Sequence, residues 1–270
     1  MPPAYTPSQK SAIASFAELT QASNSVAARI LKQHAWNVER SVDAFFQGST
    51  GSNSTSSAIA SALNKQFDSI RDAPAENPDG IGVEGSMEYL GALGVALDEV
   101  VVLAIFELLQ SPVMGEFTRE GFVNGWRSVG ADSISKQKAH VTHLRETTMV
   151  QDSAYFKKVY KHTFLIARTP GQKAVPLEVA TEYWRLLFSS STACVWRTPN
   201  TPWLDWWLEY LEARWNKTVN RDMWDMTYAF ALKSLDDETM NWWDENGAWP
   251  GVLDDFVIFV KEKRGEQTGA

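Results

Sequence analysis

From Ser57 to the C-terminal tail, apolar residues recur at helical spacing in one segment after another, and no two alternating segments flank a hairpin turn. The first stripe is Ile59, Leu63, Phe67 and Ile70. The same period predicts helices over about 58–72, 84–94, 98–110, 117–129, 133–147, 153–168, 176–188, 203–215, 219–234 and 253–263. Asp132-Ser133 supplies a helix start and Pro170-Gly171 a stop. The valine-rich run at 100–103 keeps the helical period through its flanks, so it is expected to be helix and not strand. The chain is therefore expected to be all-α.

Residues 48–57 read GSTGSNSTSS and carry no apolar side chain. Such a run cannot bury enough surface to offset its own ordering and is expected to be a flexible tether, spanning on the order of 17 Å. Ahead of it, residues 5–47 hold three short helical patterns. Thr6-Pro7 opens the first, with Ile13, Phe16, Ala17 and Leu19 on one face. Asn24 is expected to cap a second, carrying Val26, Ile30 and Leu31, and Asn37 a third, carrying Val42, Phe45 and Phe46. The helical segments after the tether are expected to form the larger domain.

Charge and composition narrow the function. The chain has 270 residues, is 44% hydrophobic and carries a net charge of −8, which disfavours nucleic acid and anionic membrane and suits a basic protein partner. No run reaches the roughly 18 apolar residues that a membrane span needs, and the polar start MPPAYTPSQK lacks a signal-peptide core. A single cysteine, Cys194, excludes an internal disulfide and fits a reducing compartment, so cytoplasm and nucleus are the expected locations.

The candidate catalytic groups are poor. Cys194 lies in SSSTACVWRTPN, where Arg197 is the only nearby cation and no His is at hand to lower a thiol pKa. A small buried residue is the better reading. His140 and His143 could share a helix face, but they lack the additional ligands of a zinc set. No phosphate-binding glycine loop and no serine-hydrolase elbow occurs. AENPDGIGVEGS places Asn77, Asp79 and Gly80 as a calcium loop would, yet Ala75 and Ser86 stand at its first and twelfth positions. A metal-free helix–loop–helix of that shape is expected. No catalytic residue, metal or cofactor is assigned.

One segment stands out by charge. Between Asp222 and Phe256 there are nine acids and one base, Lys233, so 9 − 1 = 8 negative charges fall in this stretch. Trp224, Trp242, Trp243, Trp249 and Phe256 are interleaved with them. Aromatic side chains beside charge of one sign suit a docking surface for a basic partner.

The stretches RDMWDM, ENGAWPGVLDDFVIFV and FLIARTPGQKAVPLEVATEYWRLLF resemble the defective-in-cullin-neddylation family over essentially the whole chain. The resemblance implies a UBA-like three-helix domain over 5–47, a linker over 48–57, and a PONY domain with EF-hand-like units over 58–264. It also implies a scaffold that assists the neddylation ligase without catalysing transfer. The partners it implies are the C-terminal winged-helix region of a cullin and the acetylated N-terminus of the neddylation conjugating enzyme. A RING-box protein would be engaged indirectly, and ubiquitin or the neddylation modifier through the UBA-like domain. The family's cullin-binding trio matches Asp222, Ala248 and Asp254, inside the acidic segment. Its apolar pocket for acetylated Met matches Val83, Leu97, Val102, Ile105, Leu109, Phe117, Ile166, Tyr183 and Leu186, with Phe106, Leu97 and Met114 as departures that alter its shape. An alternative is a general ubiquitin-binding adaptor without cullin specificity. In that case TQASN stands where the usual ubiquitin-contact loop of such domains would be.

Overall fold

The computed structural model describes residues 5–20, 23–244 and 246–265, the side chains of residues 43 and 45–56 excepted. Expectations placed on Phe45, Phe46, Gln21 and Ala22 therefore lie outside the described residues. The chain divides into two compact units, residues 1–61 and 62–270.

The first unit is built on α1 (Pro7–Thr20), α2 (Asn24–Gln33) and the start of α3 (Val38–Ile70). Thr6 and Gln9 cap α1 reciprocally: the Gln9 amide donates to Thr6 Oγ1 (3.3 Å) and the Thr6 amide to Gln9 Oε1 (2.9 Å). Asn37 caps α3 by accepting from the Arg40 amide at 2.9 Å. Asn24 is the first helical residue of α2 and Ser23 takes the cap position expected of it, one residue earlier. Ile13, Phe16, Ala27, Ala28 and Leu31 form the small core, with Val42 packed at its edge. Leu19 faces outward.

The run at 48–57, expected as a tether, lies within α3, whose backbone is helical from Val38 to Ile70. The run contains no proline, and Gly and Ser cost only about 0.5–1 kcal/mol each relative to Ala in a helix, so helical hydrogen bonding is disfavoured there but not blocked.

The second unit begins with a paired helix–loop–helix. The end of α3 leads through a loop to β1 (Gly80–Ile81) and α4 (Val83–Leu93), and α5 (Val101–Leu108) leads through a second loop to β2 (Phe117–Thr118) and α6 (Arg119–Ser128). The two-residue strands pair antiparallel, Gly80 opposite Thr118 and Ile81 opposite Phe117. They are too short to show an alternating pattern in the sequence. One guanidinium ties the first of these loops to α3. Arg119 donates to Asp79 Oδ1 (2.6 Å), Asp68 Oδ1 (2.8 Å), the Pro78 carbonyl (2.8 Å) and Asn64 Oδ1 (3.3 Å). It also lies 4.5 Å above the Phe67 ring.

The rest of the unit is helical. It comprises α7 (Ile134–His143), which continues through a π turn at Leu144–Thr148 into α8 (Met149–Gln151), then α9 (Ser153–Ala167) and α10 (Leu177–Leu187). After these come α11 (Trp203–Tyr210) with a second π turn at Leu211–Trp215, α12 (Arg221–Asp236) and α13 (Gly251–Arg264). A single bridge joins Val175 to Val219. The core is aromatic: Trp184, Trp196, Trp203, Trp207 and Trp224 are all at most 1% exposed. Tyr160 on α9 sits at its centre. Its hydroxyl donates to the Trp224 carbonyl (2.8 Å) and accepts from Trp184 Nε1 (2.9 Å), while Trp224 Nε1 donates to the Tyr160 carbonyl (3.0 Å). Trp184 stacks on Trp224 with ring centroids 5.1 Å apart, so α9, α10 and α12 are tied together.

Candidate functional site: an acidic helix-start surface and an apolar groove

Two parts of the second unit carry the predicted residues. The acids lie at the starts of α12 and α13, and Ala248 lies in the loop between those helices. Asn220 caps α12 by accepting from the Met223 amide at 2.8 Å, which leaves Asp222 in the first turn, exposed and at the positive end of the helix dipole. Asp254 occupies the first turn of α13, is half-buried, and accepts from Trp243 Nε1 at 3.1 Å. Ala248 is exposed in the connecting loop, beside Trp249.

The aromatic residues of this segment are less free than its sequence suggests. Trp224 is buried. Trp242 and Trp249 pack on one another and on Phe230, at centroid distances of 5.6, 5.1 and 5.9 Å. Lys233 lies over Trp242 (5.4 Å) and Lys261 over Trp243 (4.8 Å). These rings hold the loop in place and are not projecting anchors. The acids also divide. Asp237 binds the Thr239 hydroxyl, Asp244 accepts from the Asn246 amide, and Glu238 accepts from Thr201 Oγ1. Asp222, Asp236 and Asp255 face solvent, and Glu245 lies outside the described residues.

The second surface is a groove of about 340 Å³ between α4, α5, α10 and the loops that follow α4 and α5. Val83, Met87 and Leu97 stand on its rim at 54%, 50% and 55% exposure, an unusual concentration of open apolar side chains. Val102, Leu103 and Phe106 form its floor, and Leu90, Met114, Tyr183 and Leu186 complete the walls. No charged side chain lines it. Burial raises the Tyr183 phenol above its ordinary value, so that hydroxyl is neutral as well.

Local sequence explains how α4 comes to form one wall. A side chain at Gly85 would strike the Ile70 carbonyl, and one at Gly82 would come within 2.6 Å of Asp72 Oδ2. These two glycines let the start of α4 dock on the end of α3, where the Asp72 carboxylate accepts from the amides of Gly82 (2.8 Å) and Gly85 (3.2 Å). The opposite wall is positioned by an ion pair. Arg145 donates to Glu99 Oε2 (2.7 Å) and to the Gly94 carbonyl (3.2 Å), and Glu99 Oε1 accepts from the Ala96 amide (2.9 Å), which fixes the loop that carries Leu97.

Of the nine residues expected at the pocket, Val83, Leu97, Val102, Tyr183 and Leu186 line the groove. Ile105, Leu109, Phe117 and Ile166 do not. They are 0, 0, 1 and 2% exposed and belong to the core behind it, where Phe117 packs on Phe106 at 5.3 Å. Segment α5 is apolar at every position but Glu107 (VVLAIFEL), so its spacing cannot separate floor from core. Ser86, Met87, Leu90, Leu103, Phe106, Met114 and Gly115 line the groove and were not among the nine. The recurrence of Val83, Ser86, Met87 and Leu90 on one face of α4 was the available signal.

The remaining candidates have structural places. Cys194 is 2% exposed, and burial pushes its thiol up to about 12, so no thiolate is available at neutral pH. His140 lies edge-on to Trp126 at 6.2 Å, and burial followed by the neighbouring His143 lowers its pKa. Among the described residues no helix is long and apolar enough to cross a membrane.

Comparison with known proteins agrees in both units. A family model described as "Cullin binding" matches residues 136–259, and one described as "UBA-like domain" matches residues 10–52. The chain is 37% identical to "Defective in cullin neddylation protein 1" of Pyricularia oryzae, with 94% of each chain covered. It is 34% identical to the protein of the same name in Yarrowia lipolytica, over 86% of this chain and 88% of the relative. It is 31% identical to human "DCN1-like protein 3", over 83% and 72%. With identity at this level along nearly its whole length, the chain belongs to the defective-in-cullin-neddylation family.

Proposed function

We propose that this protein promotes cullin neddylation as a scaffold, binding a cullin through Asp222, Ala248 and Asp254 and the acetylated N-terminus of the neddylation conjugating enzyme through the groove. The observation that carries the proposal is the presence, on one folded unit, of an exposed acid at a helix start and a groove without charge. The acids would meet Lys or Arg on the cullin, and Ala248 leaves room for close approach. A neutral acetyl-Met brings no charge to strand in an apolar groove, whereas a free ammonium would find no carboxylate in the lining and would cost several kcal/mol to desolvate.

The thioester and the acceptor lysine come from the partners. This chain restricts their relative motion, and holding reactants in a productive geometry can supply several kcal/mol without any catalytic side chain. The stacked Trp184–Trp224 pair suits such a role, because it links α10, which bears Tyr183 and Leu186, to α12, which bears Asp222. The UBA-like unit would add a contact to ubiquitin or to the modifier. The deciding experiment is reconstituted cullin modification with and without this protein. Acceleration that survives Cys194→Ala is expected, and no acceleration, or acceleration that needs the thiol, refutes the proposal. A general ubiquitin adaptor would fail to bind an immobilised cullin C-terminal region in the same preparation.

A further inference from the structure

Within the apolar groove one polar atom has no partner. Ser86 lies on the α4 wall, is 1% exposed, and its Oγ is buried without a hydrogen bond. Among the described residues that line the groove, no other side chain has a buried polar atom in that condition. A helical serine ordinarily returns its hydroxyl to the carbonyl four residues back. Ser86 Oγ makes no such bond, whereas Ser41 Oγ bonds the Asn37 carbonyl at 2.6 Å beside its own amide. Leaving a hydroxyl desolvated and unpaired is unfavourable, so an acceptor brought into the groove beside it would be favoured.

We infer that Ser86 Oγ donates a hydrogen bond to the carbonyl oxygen of the neutral cap on the docked N-terminus, and so reads the cap itself. The inference rests on the docking reading proposed above. Three observations bring the cap and the hydroxyl together. The groove carries no charge, so whatever polar group reaches its floor must be neutral. Its volume of about 340 Å³ admits one large apolar side chain together with a small cap. Ser86 stands one residue before Met87 and three after Val83, both on the rim, so an apolar first side chain held by these residues brings its cap toward the hydroxyl. The groove would then recognise an acyl amide by two separate features, the absence of charge and the presence of one acceptor.

The test uses the full-length protein and an N-acetyl-Met peptide from the start of the neddylation conjugating enzyme, with its unacetylated twin and an N-thioacetyl version. Sulfur is a poorer acceptor than oxygen, and any loss from its larger size would be the same in both proteins. Ser86→Ala is expected to weaken the acetylated peptide about three- to tenfold while the melting temperature of the free protein stays the same or rises, since an unpaired buried hydroxyl has been removed. Thioacetylation is expected to weaken binding to the wild type by a similar factor and to add no further loss in Ser86→Ala. Equal affinity of wild type and Ser86→Ala overturns the assignment to Ser86, and so do losses that simply multiply. If the acetylated peptide still outbinds its twin in that case, the groove keeps its role. If the wild type itself does not distinguish acetylated from free peptide, the docking reading falls and this inference with it.

Discussion

Replacing Tyr160 by Phe removes one oxygen from the centre of the aromatic core, where Tyr160, Trp184 and Trp224 are all 0% exposed. Two groups lose a partner. The Trp224 carbonyl gives up its bond to the hydroxyl but keeps the amide donor of the next helical turn, so its loss is a few tenths of a kcal/mol. Trp184 Nε1 has no substitute and becomes a buried, unpaired donor, at about 1–3 kcal/mol. The sum is about 2 kcal/mol, which for a unit of this size lowers Tm by about 4–8 °C. Urea unfolding followed by tryptophan fluorescence isolates the effect, because every Trp except Trp36 lies in the second unit. Tyr228→Phe is the control. Its ring stacks on Tyr160 at 4.8 Å, but its hydroxyl has no hydrogen-bond partner among the described residues, so a change within about 0.5 kcal/mol is expected. Since Trp184 and Trp224 brace α10 and α12, the same substitution should weaken cullin and acetylated peptide together. A Tyr160→Phe protein as stable as wild type, or a Tyr228→Phe protein just as destabilised, would refute this account of how the two surfaces are held.

Charge reversal of both Asp222 and Asp254 to Lys should weaken cullin binding by more than about a hundredfold in a pull-down or calorimetric titration, while helical circular dichroism is retained; unaltered binding would remove these residues from the interface. Leu97→Asp should reduce affinity for the acetylated peptide at least about tenfold and leave cullin binding unchanged, because Leu97 is 55% exposed on the rim and the fold does not need it. A shared loss would show that the groove is structural. Acid should loosen α4 first. The amides of Gly82 and then Gly85 hold the Asp72 carboxyl below its ordinary 3.8, so its contribution to stability is complete above that value and is lost as the pH falls through the depressed one. Thermal melts between about pH 5 and 2.5 should therefore show an acid limb that Asp72→Asn lacks, the variant being less stable than wild type at pH 5 and converging with it at the acid end.

How much of this could be read in advance depended on whether the controlling interaction was local. Helices α4, α6, α7 and α9 to α13 follow apolar stripes of 3.6 period, and the caps at Thr118, Asp152 and Asn220 sit where short polar residues precede those stripes. The β1–β2 pair and the role of Arg119 were hidden for the opposite reason. Gly80 and Thr118 are far apart in the chain, two residues make no pattern, and nothing near Arg119 announces that Asn64, Asp68 and Asp79 converge on it. The run at 48–57 shows the limit of composition, which measures how poorly a segment packs and not whether its backbone can close hydrogen bonds with itself.

The two surfaces differ in the same way. Asp222 and Asp254 are first-turn residues of α12 and α13, a position where an acid is compatible with the helix dipole, Asp222 exposed and Asp254 half-buried against Trp243. The groove is a property of packing. Val102 and Ile105 are both buried residues of α5, separated by less than one turn, yet one forms floor and the other core, and what decides between them is where α4 and α10 leave a gap. No stripe encodes a gap. What sequence could register is a misfit: a serine on the buried face of α4, between two apolar neighbours, at a place where the helical pattern asks for a hydrophobic residue. That irregularity is costly to an isolated fold and is accounted for once a polar group from outside is brought to the groove, which makes Ser86 the position at which the needs of folding and of recognition diverge.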